Sequence, residues 1–399
     1  MDSCRSFTAR VVFPVSRPPI PNGVVVVNGD RIEAVEAAGS RRADVDFGNA
    51  AIIPGLVNPH THLDLSGARG LIPPTGPDHF TDWLRGVIAY RRNRTAEQVQ
   101  ADICAGLAEC LRFGTTLIGD ISSDGGSWDV VASAKTRAVV FHEMIGLSEE
   151  RAKAAGEKVW AWYQVHPATV TCRAAFSPHA PYSASGSLLT SASRDDWTVG
   201  IHLAESPGEM ELIRSHSGPF VDLLQSLGVW EPSRLTPYLD RIITRNRLAG
   251  HALFVHCNYL DIKASRYFHG GMSIVYCPRT HTAFKHPPHP FREFRRRGVR
   301  VCLGTDSLAS NPDLDILAEA RFVRRRYPVF PGDALLKMVT LDGAEALGWA
   351  DEAGSLEAGK SADFVVVPLP NEERSDPHEL LFADHPGERW TMFRGEIRA

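Results

Sequence analysis

The sequence predicts an α/β fold: a (β/α)8 barrel of the TIM type joined to a small β-sandwich domain that both chain ends build. Three observations predict it. β-type and helical segments alternate through the middle of the chain, several β-type runs end in polar residues, and short β-type runs broken by Gly and Pro occupy both ends. The chain has 399 residues, of which 43% are hydrophobic and 23% charged, so it is long enough for a large core.

The two chain ends predict the small domain. From Phe7 to about Ile53 the runs "ARVVF", "GVVVVNGDRIEAV" and "AAIIPG" show no useful helical periodicity. Near the other end, "GSLEAGKSADFVVVPLP" and "ERWTMFRGEIRA" have the same character. We therefore expect residues 1–54 and 351–399 to pair as one β-sandwich, with the barrel at residues 55–350.

The middle of the chain predicts the barrel. After the strand that leads into "NPHTH", seven further β-type runs follow, and stretches such as "AEQVQADICAGLAECLRFG" and "GEMELIRSHSGPFVDLLQSLG" between them have helical spacing. The distance from His60 to Asp306 divides into seven steps of about 35 residues, close to the roughly 30 of a βαβ unit. His202 then ends strand 5, His256 ends strand 6 and Asp306 ends strand 8.

Composition narrows the function classes. A net charge of -4 and a pI near 6.5 give no basic surface for nucleic acid or anionic lipid, and no run of 18 apolar residues occurs. The seven cysteines form no CxxC pair, which favours a reducing cytoplasm. The sequence has no P-loop, GxGxxG or GxSxG motif, and it lacks the HxE and PCxxC segments of cytidine-deaminase zinc sites.

Two histidines at the end of the first barrel strand predict half of a metal site. His60 and His62 are two residues apart, so both point to the same face of the strand. The pair alone is a weak signal. His202, His256 and Asp306 also end apolar strands, and the carboxyl ends of barrel strands converge on one pocket. Together they form a donor set suited to one divalent zinc, or to iron.

These motifs identify a resemblance. "NGDRIEAV", "IIPGLVNPHTHLDL", "SPHAPYSAS", "HLAES", "VHCNYL", "YCPRTH", "GTDS" and "GSLEAGKSADFVVV" resemble the amidohydrolase superfamily over nearly the whole chain. The resemblance is to its mononuclear deaminase branch, which includes adenosylhomocysteine/methylthioadenosine deaminases, guanine deaminase and triazine hydrolases. Within that branch, length and motif wording are most similar to the aminofutalosine deaminases. The expected activity is hydrolytic removal of an amino group, as ammonia, from a purine nucleoside-like or related N-heterocycle.

The resemblance also implies roles for individual residues. His60, His62, His202 and Asp306 would hold one metal ion, and Glu205 would shuttle protons beside it. His256 would orient the attacking water or the intermediate, and His179 would face the substrate ring. Strand 4 carries no lysine of the kind that binuclear branches carbamylate, so one ion is expected. Asp306 could also accept a proton from the water.

Substrate contacts are less constrained by the sequence. Trp83 lies in the long segment after strand 1, where relatives bind the substrate, but the glutamate that holds ribose hydroxyls in adenosylhomocysteine deaminases has no clear counterpart there. Arginine suits a carboxylate, so Arg279, Arg85 and Arg91 are candidates for an acid-bearing nucleoside such as aminodeoxyfutalosine, and Arg279 is assigned to the substrate. Relatives often form dimers, so a homodimer is expected.

Alternatives stay open at this stage. The same site could expel another leaving group, as in a chlorohydrolase or cyclic-amide hydrolase, or the barrel could be a non-catalytic scaffold. The segment from Cys277 to His289 follows strand 7 and contains three histidines and three prolines. It could be a solvated loop stiffened by proline or a lid over the substrate.

Overall fold

The computed structural model describes residues 4–191, 197–236, 238–385 and 387–398. The strands before the barrel are β1 (Arg5–Thr8), β2 (Val11–Val12), β3 (Ile20–Pro21), β4 (Val24–Asn28), β5 (Arg31–Glu36), β6 (Val45–Asp46) and β7 (Ala50–Pro54). The barrel strands are β8 (Leu56–Thr61), β9 (Thr115–Ser122), β10 (Arg137–Met144), β11 (Cys172–Pro178), β12 (Thr198–Leu203), β13 (His251–His256), β14 (Met272–Tyr276) and β15 (Arg300–Leu303). The strands after it are β16 (Phe364–Pro368), β17 (Trp390–Phe393) and β18 (Glu396–Arg398).

The α-helices lie mainly between the barrel strands. They are α1 (Phe80–Arg92), α2 (Ala96–Arg112), α3 (Trp128–Ala132), α4 (Glu149–Val165), α5 (Leu188–Ser191), α6 (Pro207–Ser215), α7 (Pro219–Ser226), α8 (Leu239–Arg245), α9 (Pro278–Ala283), α10 (Phe291–Arg296), α11 (Ile316–Arg326), α12 (Gly332–Met338), α13 (Leu341–Ala346) and α14 (Pro377–Phe382). Short 3-10 helices include Leu63–Ala68, directly after β8. Within the described ranges, no helix combines the length and the hydropathy that crossing a membrane requires.

Strands β8 to β15 form one parallel sheet in sequence order, so the predicted barrel is confirmed. The sheet closes between its first and last strands through side chains. Asn58 Nδ2 donates to Thr305 Oγ1 (2.8 Å), and the Thr305 amide donates to Asn58 Oδ1 (3.1 Å). Gly304 is needed at this junction, because a Cβ atom there would lie 3.0 Å from His60 Cβ. Parallel strands buried on both faces explain the continuous apolar runs of the sequence.

The small domain is a β-sandwich from both chain ends, as predicted. One sheet has the order β5-β4-β1-β6, and the other has the order β18-β17-β16-β7-β2-β3. β16 pairs antiparallel with β7, which joins the C-terminal strands to the N-terminal ones. The two sheets share an apolar core in which the rings of Phe7 and Phe364 meet edge to face, with centroids 5.4 Å apart.

One stretch with helical spacing in the sequence forms two helices in the structure. The stretch "GEMELIRSHSGPFVDLLQSLG" forms α6 and α7, separated by a turn. His216 caps α6 in the left-handed conformation (φ 53°), and Gly218 has φ 89°. Pro219 then begins α7, at the position where a missing N–H costs nothing.

A buried ion pair fastens the barrel to the sandwich. Arg137 begins β10, and its guanidinium bonds to the carboxylate of Asp363, which precedes β16. Both side chains are only 2% exposed, and the guanidinium lies over the rings of Trp349 and Phe393. Removing Asp363 would leave the Arg137 charge buried, with only the more distant carboxylate of Glu352 (3.6 Å) to compensate it.

Asp363→Ala should therefore lower the free energy of unfolding by about 3–5 kcal/mol, measured by chemical denaturation. Glu396→Ala is the control, since Glu396 pairs with Lys135 at the exposed surface and its loss should leave the denaturation midpoint unchanged. An Asp363→Ala midpoint equal to that of the wild type would contradict the role of the pair.

Candidate active site

Residues from four barrel strands meet at the carboxyl end of the barrel. His60 lies in β8 and His62 just after it, His202 in β12, His256 at the end of β13, and Asp306 three residues after β15. The Nε2 atoms of His62 and His202 are 3.2 Å apart. Asp306 Oδ1 lies 3.4 Å from His60 Nε2 and 3.8 Å from His62 Nε2. Among the described residues the donor atoms form two groups that share His60: one with His62 and His202, and the other with His256 and Asp306.

The geometry of this cluster fits a divalent ion. A tetrahedral zinc ion with bonds of about 2.0–2.1 Å to nitrogen keeps its ligand atoms about 3.4 Å apart, which is close to the separations observed. His60 is fully buried, yet neither of its ring nitrogens has a hydrogen-bond partner among the described residues. Burial also lowers the pKa of His62 and His202 well below the usual range, so these imidazoles are neutral.

Neighbouring groups orient two of these candidate ligands. His202 Nδ1 lies 3.1 Å from the backbone oxygen of His179 and donates to it, which leaves the Nε2 lone pair directed at the cluster. Ser310 Oγ donates to Asp306 Oδ2 (3.0 Å), leaving Oδ1 toward His60. Burial acts to raise the pKa of the Asp306 carboxyl, but its side-chain interaction with His60, whose Nε2 lies 3.4 Å from Oδ1, lowers that pKa below its ordinary value.

A buried carboxyl group lies beside the cluster. Glu205 Oε1 is 3.2 Å from His256 Nε2, and the Glu205 side chain is 7% exposed. Burial, together with the charges of Asp306 and Glu209, raises the pKa of Glu205 well above its usual range. Glu209 holds this segment in place, because its two carboxylate oxygens accept the backbone amides of Ala204 and Glu205, both at 2.8 Å.

A match to a known family accounts for this arrangement. The model of the family described as "Amidohydrolase family" matches residues 51–391, which is most of the chain and includes every residue named in the cluster. The chain belongs to the amidohydrolase family. The resemblance inferred from the motifs is thereby confirmed.

Individual proteins similar to this amidohydrolase include deaminases and a chlorohydrolase. A 5-methylthioadenosine/S-adenosylhomocysteine deaminase of Moorella thermoacetica is 30% identical over 92% of this chain and 86% of its own. The Helicobacter pylori aminofutalosine deaminase in complex with methylthio-coformycin superposes with a TM-score of 0.84 at 22% identity, over 99% of this chain and 100% of that one. The atrazine chlorohydrolase of Arthrobacter aurescens complexed with zinc has a TM-score of 0.79 at 19% identity, over 98% and 94%.

A small cavity of the amidohydrolase is lined by three of the four candidate ligands, His62, His202 and Asp306, and by His256. Its lining includes His179, Trp83, Arg91 and Glu143 together with Glu205, and it measures about 50 Å³. Trp83 stacks on Phe80, with centroids 5.5 Å apart, and its indole nitrogen has no partner among the described residues. Burial lowers the pKa of His179 to about 3, so this ring is neutral. Trp83 and His179 thus both line the cavity, Trp83 as part of its apolar wall and His179 as a neutral ring.

The segment from Cys277 to His289 is not a solvated loop. His281, His286 and His289 are 6%, 8% and 4% exposed. His289 Nε2 donates to the backbone oxygen of His256 (2.8 Å), so it supports a residue of the site directly. Phe284 in the same segment packs against Trp83, with centroids 5.0 Å apart. The segment therefore packs behind His256 and Trp83, two residues that line the cavity.

The structure does not bring Arg279 to the cavity. Its guanidinium bonds to Glu319 Oε1 (2.6 Å) and to both carboxylate oxygens of Asp313 (2.6 and 2.9 Å). It is absent from the residues that line the cavity. Because these two carboxylates occupy its donors, Arg279 joins α9 to α11 and the loop before α11. We assign it a structural role in place of the predicted contact with substrate.

Sequence reasoning missed two acidic groups near the cavity. Glu143 lies in β10 at the carboxyl end of the barrel, and Asp64 follows His62 in the 3-10 helix. Arg91, named only as an alternative to Arg279, bonds to both of them from α1. The sequence does contain a signal for Glu143. The apolar run "AVVF" is followed by the polar pair His142 and Glu143, just as polar residues follow the other barrel strands.

His202→Ala should weaken metal binding by more than about 100-fold, because one of the four candidate ligand atoms disappears. Loss of a residue that only hydrogen-bonds to a metal ligand already costs roughly 10–100-fold in affinity. Metal content after dialysis, measured by atomic emission, checks the result. His251→Asn is the matched control, since His251 begins β13 and so lies at its opposite end from His256. Equal metal content in wild type and His202→Ala would exclude His202 as a ligand.

Proposed function

We propose that this amidohydrolase is a metal-dependent hydrolytic deaminase that removes the amino group of a purine nucleoside or related N-heterocycle as ammonia. The observation that carries the proposal is the buried Glu205 carboxyl, which lies 3.2 Å from His256 Nε2 and lines the same cavity as three of the four candidate metal ligands, His62, His202 and Asp306. The relative from Moorella thermoacetica, a 5-methylthioadenosine/S-adenosylhomocysteine deaminase, supports the substrate class.

The reaction adds water across a carbon–nitrogen double bond and then breaks the bond to the amino group. Water oxygen bonds to the carbon that carries the amino group while Asp306 accepts one proton from that water and Glu205 donates its proton to the adjacent ring nitrogen. The Glu205 carboxylate then takes the hydroxyl proton of the intermediate and delivers it to the amino nitrogen, so that the bond to nitrogen breaks, a carbonyl forms and ammonia leaves. Asp306 returns its proton to Glu205, which restores both groups. Such positioned proton transfers typically contribute about 10²–10⁴-fold in rate. His256, held by the backbone contact from His289, orients the water or the intermediate.

One divalent ion, zinc in preference to iron, is the cofactor that this donor set suits. Three imidazole nitrogens and one carboxylate oxygen would hold it and give the mixed N/O donor set that zinc accepts. The similar chlorohydrolase structure contains zinc, which supports the choice. When bound, the ion supplies a water whose pKa is lowered toward 7, and so a nucleophile at neutral pH.

Substrate ring recognition falls to His179 and the aromatic wall. His179 Nδ1 lies 2.6 Å from Ser183 Oγ, which leaves Nε2 directed into the cavity. The neutral ring can hydrogen-bond to a ring nitrogen, while Trp83 and Phe80 offer flat apolar surface to a heterocycle.

We infer a reducing compartment, the cytoplasm, from the cysteines. All seven are free, and five of them are buried. Thiols kept reduced in a protein of this size are typical of the cytosol. The homodimer stays a prediction, and its test is the oligomeric state in solution.

The first experiment measures ammonia release by the zinc-loaded protein. Adenosine, 5′-deoxyadenosine, methylthioadenosine, adenosylhomocysteine, aminodeoxyfutalosine, guanine and a melamine-type triazine form the panel. We expect turnover with at least one adenine nucleoside. Chloride release from a chlorotriazine, with no ammonia from any member of the panel, would favour the chlorohydrolase alternative instead.

Glu205→Gln should retain the metal and the fold but lower kcat by at least about 10²-fold, because the amide cannot deliver a proton to the ring nitrogen. Steady-state ammonia release and metal analysis of the same preparation check both parts. Glu211→Gln, on the exposed face of α6, is the matched control and should keep wild-type kcat. Wild-type turnover by Glu205→Gln would rule out the proton-shuttle role.

A further inference from the structure

The strand that carries His60 departs from regular pairing as it reaches the site. Asn58 of β8 pairs with Ile118 of β9, but Thr61 pairs with Asp120, so three steps along β8 match two steps along β9. One extra residue on one strand is the arrangement of a β-bulge, which interrupts the hydrogen bonds between strands and re-aims side chains. Regular strand pairing therefore does not by itself fix the direction of His60.

The bulge brings the two strands into close contact. A Cβ atom at Gly119 would lie 2.4 Å from the backbone oxygen of Pro59, which is closer than real Cβ atoms approach. Glycine is therefore required opposite the bulge. Pro59 has no N–H group and cannot donate a hydrogen bond to β9. The chain at the bulge needs another group to hold it in place.

A buried carboxylate supplies hydrogen bonds where the strand pairing is interrupted. Asp120 Oδ1 accepts from Thr61 Oγ1 and from the backbone amide of Leu63, both at 2.9 Å. Asp120 is fully buried. Its two donors lie one residue before His62 and one residue after it. A single oxygen atom therefore fixes the short segment that carries the second histidine.

Asp120 acts from outside the cavity. Ile118, two residues earlier on β9, packs in an apolar cluster with Ile103 of α2 and Trp128 of α3. Residues two apart on a strand share a face, so Asp120 also lies on the side of the sheet that faces the helices. It is absent from the described residues that line the cavity. A carboxylate in such an apolar layer costs free energy unless it is hydrogen-bonded, and its bonds here go to the segment around His62.

We propose that Asp120 is a positioning residue for the metal site. By fixing the chain before and after His62, where the strand pairing is interrupted, it aims the imidazoles of His60 and His62 at one ion. The inference rests on the metal site of the proposed function and extends that site to a residue that touches neither ion nor substrate. Residues that orient metal ligands typically contribute about 10–100-fold to metal affinity, because a metal site depends on precise ligand geometry.

Removal of this carboxylate should weaken metal binding although every ligand remains. In Asp120→Ala we expect the dissociation constant for Zn²⁺, measured by competition with a chromophoric chelator, to rise by about 10–100-fold. Asp120→Asn keeps an oxygen that can accept the same two hydrogen bonds, so it should recover most of this loss. Thr61→Val removes one of the two donors from a side chain of similar shape and should raise the constant by less than Asp120→Ala does.

A spectroscopic measurement separates ligand geometry from stability. The visible absorption of the Co²⁺-loaded protein responds to the arrangement of its ligands, so its bands should shift or weaken in Asp120→Ala and in Thr61→Val. Asp363→Ala is the matched control, since Asp363 is another buried carboxylate and its partner Arg137 begins β10, at the end of the barrel opposite the site. This variant should unfold at a lower denaturant concentration but keep the wild-type Zn²⁺ affinity and Co²⁺ spectrum.

The same measurements distinguish the positioning role from the deaminase. Metal binding that depends on Asp120, in a protein that releases no ammonia, would support the positioning role and overturn the proposed activity. Wild-type affinity and spectrum in both Asp120→Ala and Thr61→Val would overturn the positioning role, whatever the activity. An equal loss of affinity in Asp363→Ala would also overturn it, because metal binding would then follow the stability of the fold alone.

Discussion

Closure of the barrel between its first and last strands is the constraint on which the site depends. Asn58 in β8 and Thr305 after β15 exchange two buried hydrogen bonds, and the amide of Asp306 donates to the backbone oxygen of His60 (3.1 Å). These contacts join segments that lie almost the whole barrel apart in sequence. They also fix the separation of His60 and Asp306, so the same bonds that complete the sheet assemble two of the candidate ligands.

The ends of the strands carry backbone strain that directs side chains inward. Ala204, His256, Cys257 and Asp306 all have left-handed φ values between 52° and 67°, at or just after barrel strands. Each such non-glycine residue costs about 1–3 kcal/mol and persists only where its surroundings hold it. Glu209 bonds to the amides at Ala204 and Glu205, and His289 bonds to the carbonyl of His256. These buried acid and imidazole groups are therefore positioning residues for the catalytic machinery.

Strand ends were predictable from the sequence, and long-range pairings were not. Each of His60, His202, His256 and Asp306 follows an apolar run that predicts a strand. A residue at the carboxyl end of a barrel strand lies at the active-site face, so the position of these four residues could be predicted from local sequence alone. Arg279 also follows a strand, but its guanidinium is bonded to Asp313 and Glu319, which lie 34 and 40 residues further along the chain. No local sequence pattern indicates such distant partners. The burial of the histidines after β14 was equally hidden, because proline-rich polar segments are usually solvated.

Helix α1 links the apolar wall of the cavity to its acidic groups. Trp83, Val87 and Arg91 are spaced four residues apart, so they lie on one face of the helix, and all three line the cavity. Arg91 contacts the carboxylates of Glu143 and Asp64 from that face. One helix face therefore supplies both an aromatic surface and the cation that holds two buried acids, so the packing of α1 on the barrel sets the apolar and the polar parts of the cavity together.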